Sequence, residues 1–244
     1  MPDLSLSKPA LLDGGMGREL RFRGVDVPET IWSAGALLTD PDVVRQIHID
    51  YIMAGADIIT TNTYGVIRVD LAKIGIQGRF AELTRLACRL AVEARDLAGK
   101  NSAIAGSLPP LRGSFRPDLV GPIEEIEGLY DEQAKLMAPH VDFFLCETMS
   151  SAAEGRAAAK AACRTGKPVW VAWTLHEDRA GELRSGDSID AAVAALEGLP
   201  VSGFLANCCA PERVTDAMNS LMASGGEWIG GYANTFTPIP QDWT

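Results

Sequence analysis

The sequence contains few histidines and no long apolar run. Only three histidines occur among 244 residues, and none of them, His48, His140 or His176, stands in a pattern that requires a chemical role. No apolar run approaches the roughly 18 residues that a membrane-spanning helix needs, and no signal peptide is recognisable at the amino terminus. We therefore expect a soluble, cytoplasmic protein.

Positive charge and paired cysteines are also scarce. The chain has 22 basic and 32 acidic residues, for a net charge of −10, which disfavours nucleic acids and anionic membranes as partners and suits a small or cationic substrate. Its five cysteines, an odd number at irregular spacing, do not indicate a disulfide framework. No linker-like segment divides the chain, so we predict a single domain over residues 1–244, with a homo-oligomer left open.

Short apolar segments alternate with helical patterns along the chain. This alternation is typical of parallel strands that are buried on both faces and joined by helices. It predicts an α/β fold of the (β/α)8 barrel type in which seven strands can be read. The predicted strands are Ala10–Gly15, Ala56–Asn62, Asn101–Pro109, Val141–Thr148, Pro168–Leu175, Val201–Cys209 and Glu227–Asn234. The clearest predicted helices are Asp40–Ala54, Arg79–Ala98, one that begins at Ser151 with Glu154 in a capping box, and one opened by Pro211.

Polar residues follow most of these strands, at the end where such folds carry their chemistry. Asp13 and Gly14 end the first strand, Asn62 the second, and Glu147 and Thr148 the fourth. No lysine lies at these ends, which disfavours a Schiff-base enzyme. The loop from Ser107 to Pro122 is long enough to suggest a lid.

The sixth strand ends in Asn207 and Cys208, directly before a predicted helix. The positive end of a helix favours a thiolate, the form of cysteine that attacks substrates or binds metals. We therefore expect Cys208 to be the reactive group of the chain.

Six segments, read in order, carry a resemblance to a known family. They are DGGMGREL (13–20), ETIWSAGALL (29–38), AGADIITTNTY (54–64), GSLPP (106–110), CETM (146–149) and ANCC (206–209). Together they span nearly the whole chain and resemble the homocysteine S-methyltransferase family. The resemblance implies a zinc-dependent barrel that transfers a methyl group from a sulfonium or ammonium donor to homocysteine, giving methionine, with S-methylmethionine favoured as donor.

The resemblance also implies roles for individual residues. Cys208 would be both the catalytic residue and a zinc ligand, and zinc would hold the homocysteine sulfur as a thiolate. Asp13, Gly14 and Glu147 would bind the amino-acid end of homocysteine, with Asn62, Thr148 and Asn207 lining the pocket. Trp32 would contact the cationic donor through its aromatic face, and Tyr64 is a weaker candidate.

The chain departs from the family pattern at its carboxyl end. Family members carry a GGCC element on an eighth strand that supplies two further zinc ligands, and no such element occurs before Thr244. Cys209 cannot easily replace that pair, because adjacent residues on a strand point to opposite faces. Two alternatives to the zinc enzyme therefore remain: a non-catalytic barrel that binds amino acids without metal, and an enzyme that uses Cys208 as a covalent nucleophile.

Overall fold

The computed structural model describes residue 6 and residues 8–235. These residues form two compact units. The N-terminal unit contains residues up to 107 together with 133–143, and the C-terminal unit contains residues 108–132 and those from 144 onward.

The N-terminal unit is mainly helical around two paired strands. Its elements are α1 (Met16–Phe22), a 3₁₀ helix (Trp32–Gly35), α2 (Ala36–Thr39), α3 (Pro41–Ala54), β1 (Ile58–Thr60), α4 (Arg68–Lys73), a 3₁₀ helix (Gln77–Arg79), α5 (Phe80–Ala98) and β2 (Ala103–Leu108). Strands β1 and β2 pair in parallel, with Ile59 opposite Ile104. The predicted helix boundaries are confirmed, since α3 ends at Gly55 and α5 at Gly99, both in the left-handed conformation that closes many helices.

Helices α3 and α5 pack together and supply much of the apolar core of this unit. Ile47 and Val44 of α3 and Leu83 and Ala87 of α5 are fully buried in one cluster. His48 is also fully buried in α3, and neither of its ring nitrogens has a hydrogen-bond partner. Because burial disfavours the charged imidazolium, the pKa of His48 is lowered to about 4.

The first predicted strand, Ala10–Gly15, is wrong as a strand. It forms only one isolated parallel bridge, between Leu12 and Ile58. The backbone N–H of Asp13 donates to the Ile58 carbonyl at 2.9 Å, but the N–H of Leu11 donates to the side chain of Asp57 at 2.8 Å. The Asp57 carboxylate thus replaces a ladder bond, which keeps the pairing short.

The C-terminal unit contains a regular parallel sheet. Its elements are a 3₁₀ helix (Pro117–Leu119), β3 (Phe143–Met149), α7 (Ala152–Cys163), β4 (Val169–Trp173), α8 (Ile189–Ala194), β5 (Val201–Asn207), α9 (Pro211–Ala223) and β6 (Trp228–Tyr232). Helix α6 (Ile123–Met137) crosses the boundary between the two units. Strands β3, β4, β5 and β6 pair in chain order, all in parallel. The aromatic core of this unit includes the contact between Trp170 and Trp228, whose ring centroids lie 5.2 Å apart.

Helix α7 lies against β4 through small side chains. Its buried face consists largely of alanines and Gly155, and a Cβ atom on Gly155 would lie 2.8 Å from the indole nitrogen of Trp173. The predicted cap is confirmed in part, because Ser151 accepts a hydrogen bond from the Glu154 backbone N–H at 3.1 Å. The buried Glu154 carboxylate instead binds the backbone N–H and hydroxyl of Ser150, at 2.8 and 2.7 Å.

The α/β class and six of the seven predicted strands are confirmed. The complete (β/α)8 barrel is not confirmed, since the part of the chain that the structure describes contains six strands and the Leu12 bridge. The segment that follows the seventh predicted strand, residues 236–244, lies outside the described residues. A single domain over residues 1–244 stays a prediction. Within the described residues, no helix is both long and apolar enough to cross a membrane.

Candidate functional site

The carboxyl ends of the strands of the C-terminal unit bring four predicted site residues to one edge of its sheet. Glu147 and Thr148 lie near the end of β3, and Asn207 is the last residue of β5 with Cys208 directly after it. Thr148 and Asn207 are fully buried, and Glu147 is nearly so. The parallel strand order accounts for this convergence.

A β-bulge shapes the end of β3. Between Cys146 and Met149 the strand advances three residues while its partner β4 advances two, from Val171 to Trp173. Thr148 lies inside this bulge with φ of 61°, a left-handed conformation that β-branched residues rarely adopt. A bulge turns side chains away from regular strand alternation, so it sets the direction in which Glu147 and Thr148 point.

Asn207 holds this bulge in place. Its side-chain oxygen accepts the backbone N–H of Thr148 at 3.0 Å, and its side-chain nitrogen donates to the Thr148 hydroxyl at 2.9 Å. The predicted contact of Asn207 with substrate stays a prediction, because the contacts seen for both ends of its amide are with Thr148.

Cys208 adopts a second strained conformation, with φ of 50°. Its backbone N–H donates to the Tyr232 carbonyl at 3.1 Å, and its own carbonyl accepts the Thr174 hydroxyl at 3.1 Å. Four non-glycine residues of the described chain have positive φ, namely Trp32, Phe115, Thr148 and Cys208. Three of the four are predicted site residues, and strain of this kind concentrates at functional sites.

The expectation that a helix terminus would make Cys208 a thiolate is wrong for the protein without metal. Burial, together with the negative charge of Glu147, raises the pKa of the Cys208 thiol to about 12, although a hydrogen bond with Thr148 and the charge of Arg184 oppose the rise. Helix α9 begins only at Pro211, and its terminus does not overcome this desolvation. Burial also raises the pKa of Cys209, to about 11.

Glu147 is positioned by a residue from β6, three strands away in the sheet. The Tyr232 hydroxyl, at the end of β6, donates to its carboxylate at 2.9 Å. Thr148 and Asn207, the chain neighbours of Glu147 and Cys208, are bonded to each other, so the carboxylate and the thiol belong to the same edge of the sheet. Tyr232 lies within the predicted strand Glu227–Asn234, and the sequence pattern gives no signal for this contact.

The described residues do not fit a complete zinc site. No group of three or more histidine, cysteine, aspartate or glutamate side chains in this part of the chain is arranged to hold a metal ion. A structural or catalytic zinc ion takes at least three protein ligands. Cys208 can supply one of them.

Asp13 and Gly14 make internal contacts in the N-terminal unit. The Asp13 carboxylate accepts the backbone N–H of Thr60 at 2.8 Å and the Thr60 hydroxyl at 3.0 Å. At Gly14, a Cβ atom would lie 2.6 Å from the Tyr51 hydroxyl. Tyr51 thus occupies the space where a side chain at Gly14 would stand, and the predicted contacts of Asp13 and Gly14 with substrate stay predictions.

Asn62 holds the segment that contains Trp32. Its side-chain oxygen accepts the Ser33 hydroxyl at 2.6 Å, and its side-chain nitrogen donates to the Ser33 carbonyl at 2.9 Å. Trp32, with φ of 48°, is half-buried and directly precedes Ser33. Asn62 thus fixes the backbone next to the tryptophan, and its predicted contact with substrate stays a prediction.

Sequence reasoning missed Arg184, in the segment between β4 and α8. Its guanidinium pairs with Glu177 at 2.8 Å and lies over the ring of Phe115, 5.0 Å from the ring centroid. The predicted strand and helix periods contain no signal for such a contact, because all three residues lie in irregular segments. His176 lies outside the helices and strands, and its ring nitrogen Nδ1 accepts the Asp178 backbone N–H at 3.1 Å.

A profile of the family described as homocysteine S-methyltransferase matches residues 10–243. The chain belongs to the homocysteine S-methyltransferase family. Its relatives include the homocysteine S-methyltransferase of Escherichia coli K12, 30% identical over 86% of this chain and 73% of that protein. Another is the selenocysteine methyltransferase of Astragalus bisulcatus, 28% identical over 97% of this chain and 80% of that protein.

Solved structures agree with this membership in a family of methyltransferase enzymes. The metallated form of the homocysteine methyltransferase MmuM from Escherichia coli superimposes with a TM-score of 0.80 at 26% identity, covering 94% of this chain and 93% of that one. Its oxidised form gives a TM-score of 0.82 at 25% identity, with 95% and 94% covered.

Proposed function

We propose that this protein transfers a methyl group from a sulfonium donor, S-methylmethionine, to the sulfur of homocysteine, giving methionine. The observation that supports this most directly is the cluster of Glu147, Thr148 and Cys208 at the strand ends of the C-terminal unit. Membership of the homocysteine S-methyltransferase family adds the reaction class. A cytoplasmic role in methionine biosynthesis belongs to the same proposal.

Glu147 is proposed to bind the α-ammonium group of homocysteine. A buried carboxylate gains a charge-assisted hydrogen bond from an ammonium ligand, which is stronger than a neutral one. The hydrogen bond from the Tyr232 hydroxyl fixes the position of that carboxylate. Asp13 and Gly14 are proposed, from the family resemblance, as further contacts for the amino-acid end.

Thr148, Asn207 and Asn62 are proposed to act mainly as positioning residues. Asn207 fixes Thr148, whose side chain bonds to Cys208, and Asn62 fixes the backbone beside Trp32. Trp32 is proposed to contact the cationic donor. An aromatic face attracts a sulfonium by about 0.5–2 kcal/mol without the strong ground-state stabilisation that a carboxylate would give.

The reaction needs no redox partner. The acceptor sulfur forms a bond to the methyl carbon as the bond from that carbon to the donor sulfonium breaks, and the bonding electrons stay on the donor sulfur. The donor leaves as a neutral thioether, while the homocysteine thiol loses its proton to solvent. The protein aligns the two sulfurs with the methyl carbon, which is the main requirement of such a transfer.

Methionine formation tests the proposal. Purified protein is incubated with homocysteine and, in turn, S-methylmethionine, S-adenosylmethionine or betaine, and methionine is quantified by mass spectrometry. We expect most product from S-methylmethionine, and loss of product in Cys208→Ser but not in Cys163→Ser, whose half-buried thiol lies at the end of α7. Product only from another donor would overturn the choice of donor, and no product from any would overturn the proposed reaction.

Cys208 is also proposed as a zinc ligand, following the family resemblance. Because the described residues offer no three-ligand set, we expect the 244-residue chain to hold zinc weakly. After dialysis, elemental analysis should find far less than one zinc per chain. One tightly held zinc would show that ligands outside those recognised here complete the site.

A metal-independent amino-acid-binding protein is the second candidate, favoured by the same lack of a three-ligand set in the described part of the chain. It predicts homocysteine binding without methionine formation. The third reading, a covalent Cys208 nucleophile, is disfavoured because burial raises the pKa of that thiol to about 12.

A further inference from the structure

Arg184 lies in a well-fixed segment of the C-terminal unit. The segment between β4 and α8 folds back on itself through antiparallel bridges, one between Leu175 and Leu183 and one between Glu182 and Ser188. It is tied to the start of α7 by the backbone N–H of Ser185, which donates to the Ser150 carbonyl at 3.0 Å. The segment that carries Arg184 is therefore held by its own bridges and by the bond to Ser150. It follows β4, so it lies at the same edge of the sheet as Glu147 and Cys208.

The Arg184 side chain is deeply buried, and its hydrogen bond to Glu177 does not satisfy all of its buried N–H groups. Only 12% of it is exposed, and its partner Glu177 is 13% exposed. One terminal nitrogen bonds to Glu177, while Nε is buried without any hydrogen-bond partner among the described residues. A buried N–H of a charged group that lacks an acceptor is costly and calls for an explanation, such as a ligand that supplies the acceptor.

The surroundings of Arg184 suit an anion with a flat, two-oxygen end. Phe115 stacks on one face of the guanidinium and has a strained left-handed backbone, with φ of 65°. Stacking leaves the edge of the guanidinium available, and this edge matches the two oxygens of a carboxylate. Glu177 offsets part of the positive charge but occupies only one of the five N–H donors.

Contacts on both sides bring the Arg184 segment to the strand ends that carry Glu147 and Cys208. The N–H of Ser185, next to Arg184, donates to the carbonyl of Ser150, three residues after Glu147, at 3.0 Å, and Thr174, at the start of the segment, donates to the Cys208 carbonyl at 3.1 Å. One cation and one anion at the same edge of the sheet form the pattern that an amino-acid zwitterion requires. Both homocysteine and a sulfonium amino acid carry such a zwitterion.

We propose that Arg184, held by Glu177 and Phe115, binds the carboxylate of an amino-acid substrate beside Cys208. The proposal deepens the proposed function, on which it rests, by giving the C-terminal unit a carboxylate subsite. The bound carboxylate belongs either to the acceptor or to the donor, and binding measurements on each separate the two.

Calorimetry with matched ligands tests this subsite. The probes are homocysteine and its decarboxylated analogue 3-aminopropanethiol, and S-methylmethionine and its decarboxylated analogue (3-aminopropyl)dimethylsulfonium. In Arg184→Gln we expect one carboxylated ligand to bind about tenfold more weakly or worse, the range for a lost hydrogen bond to a charged group. Its decarboxylated analogue should bind equally to both proteins, and whichever pair responds identifies the substrate.

Arg179→Gln is the matched control, since Arg179 lies in the same segment and forms an exposed pair with Glu182. It should bind all four probes like the wild type. Arg184→Lys keeps the charge but loses the two-pronged geometry, so its affinity should fall between those of wild type and Arg184→Gln. It also replaces Arg184→Gln if thermal unfolding shows the latter to be misfolded.

Two results would overturn the subsite: unchanged affinity of both carboxylated ligands in Arg184→Gln, or equal weakening of carboxylated and decarboxylated probes. Failure of the proposed function looks different. Binding that depends on Arg184, without methionine formation, would overturn the transfer reaction and leave the subsite standing. If the wild-type protein binds neither carboxylated ligand, both proposals fall.

Discussion

Two asparagines, one in each unit, make the same kind of contact and serve different neighbours. Asn62 uses both ends of its amide on Ser33, which follows the left-handed Trp32. Asn207 uses both ends of its amide on Thr148, which is itself left-handed. In the first case the strained residue, Trp32, lies next to Ser33, the residue that Asn62 holds. In the second case Thr148 is both the strained residue and the one that Asn207 holds.

The difference indicates how each unit stabilises its unusual backbone. Thr148 is β-branched, so its left-handed conformation is the costlier one, and both bonds from Asn207 oppose that cost directly. Trp32 is supported through the backbone of its neighbour. Polar residues at strand ends, which the sequence marks as candidates for substrate contact, serve here to hold the backbone that presents other side chains.

The comparison predicts the largest loss for Asn207→Ala. Removing the amide leaves the buried Thr148 N–H without its Asn207 acceptor, so we expect the free energy of unfolding to fall by about 3 kcal/mol. Urea unfolding monitored by tryptophan fluorescence measures it. Asn62→Ala, the matched change in the other unit, should cost less, about 2 kcal/mol, and an equal or larger loss there would contradict the distinction drawn between the two.

His48 contrasts with the two asparagines, because its buried ring has no hydrogen-bond partner among the described residues. Its pKa is about 4 in the folded protein and about 6.5 when unfolded. The unfolded chain therefore binds more protons between these values, so this contribution to stability is complete above pH 6.5 and is lost as the pH falls toward 4. Its size is on the order of 3 kcal/mol.

Unfolding free energies measured from pH 7 to pH 4 for wild type and His48→Leu check this. The slope in this window should be smaller in His48→Leu than in wild type. Identical slopes in the two proteins would rule out His48 as the source.

In the C-terminal unit, Glu147→Gln should weaken homocysteine binding by about 1.5–3 kcal/mol, the range for a hydrogen bond to a charged group. Calorimetry measures the affinity. Tyr232→Phe removes the hydroxyl that donates to Glu147 but keeps the carboxylate, so its effect should be smaller. Unchanged affinity in Glu147→Gln would remove this residue from the proposed pocket.

In the N-terminal unit the smallest effect is expected. Trp32→Ala should raise the KM of the methyl donor several-fold, about 0.5–2 kcal/mol, and leave homocysteine affinity nearly intact. Steady-state kinetics with each substrate varied in turn provide the measurement. An equal rise in the KM of both substrates would mean that Trp32 only packs against its neighbours.

Much of the fold could be predicted from sequence because its signals are local. Apolar runs marked β1 to β6, and Gly55, Gly99 and Pro211 marked helix ends that the structure confirms. The first predicted strand failed because its pairing depends on Asp57, a residue 46 positions from Leu11. No local pattern in the chain could indicate that exchange.

The candidate site was predictable in its residues and not in its geometry. Strand ends pointed to Glu147, Thr148, Asn207 and Cys208, which the structure brings together. The bulge at Thr148 depends on a partner 59 residues away, and Arg184 depends on contacts from irregular segments. The pKa of Cys208 was misjudged because burial is a property of the folded chain.

The close approach of α7 to β4 has a consequence for how this protein can change over evolution. Because a methyl group at Gly155 would lie 2.8 Å from Trp173, larger residues on the buried face of α7 must move the helix or the tryptophan. Helix α7 follows β3 after only Ser150 and Ser151, so any such movement also displaces the bulge that carries Glu147 and Thr148. The segment that carries Arg184 is tied to the same end of α7, since the Ser185 N–H donates to the Ser150 carbonyl and the Asp187 carboxylate accepts the Ala152 N–H, so a change in the packing of α7 would reach that segment as well.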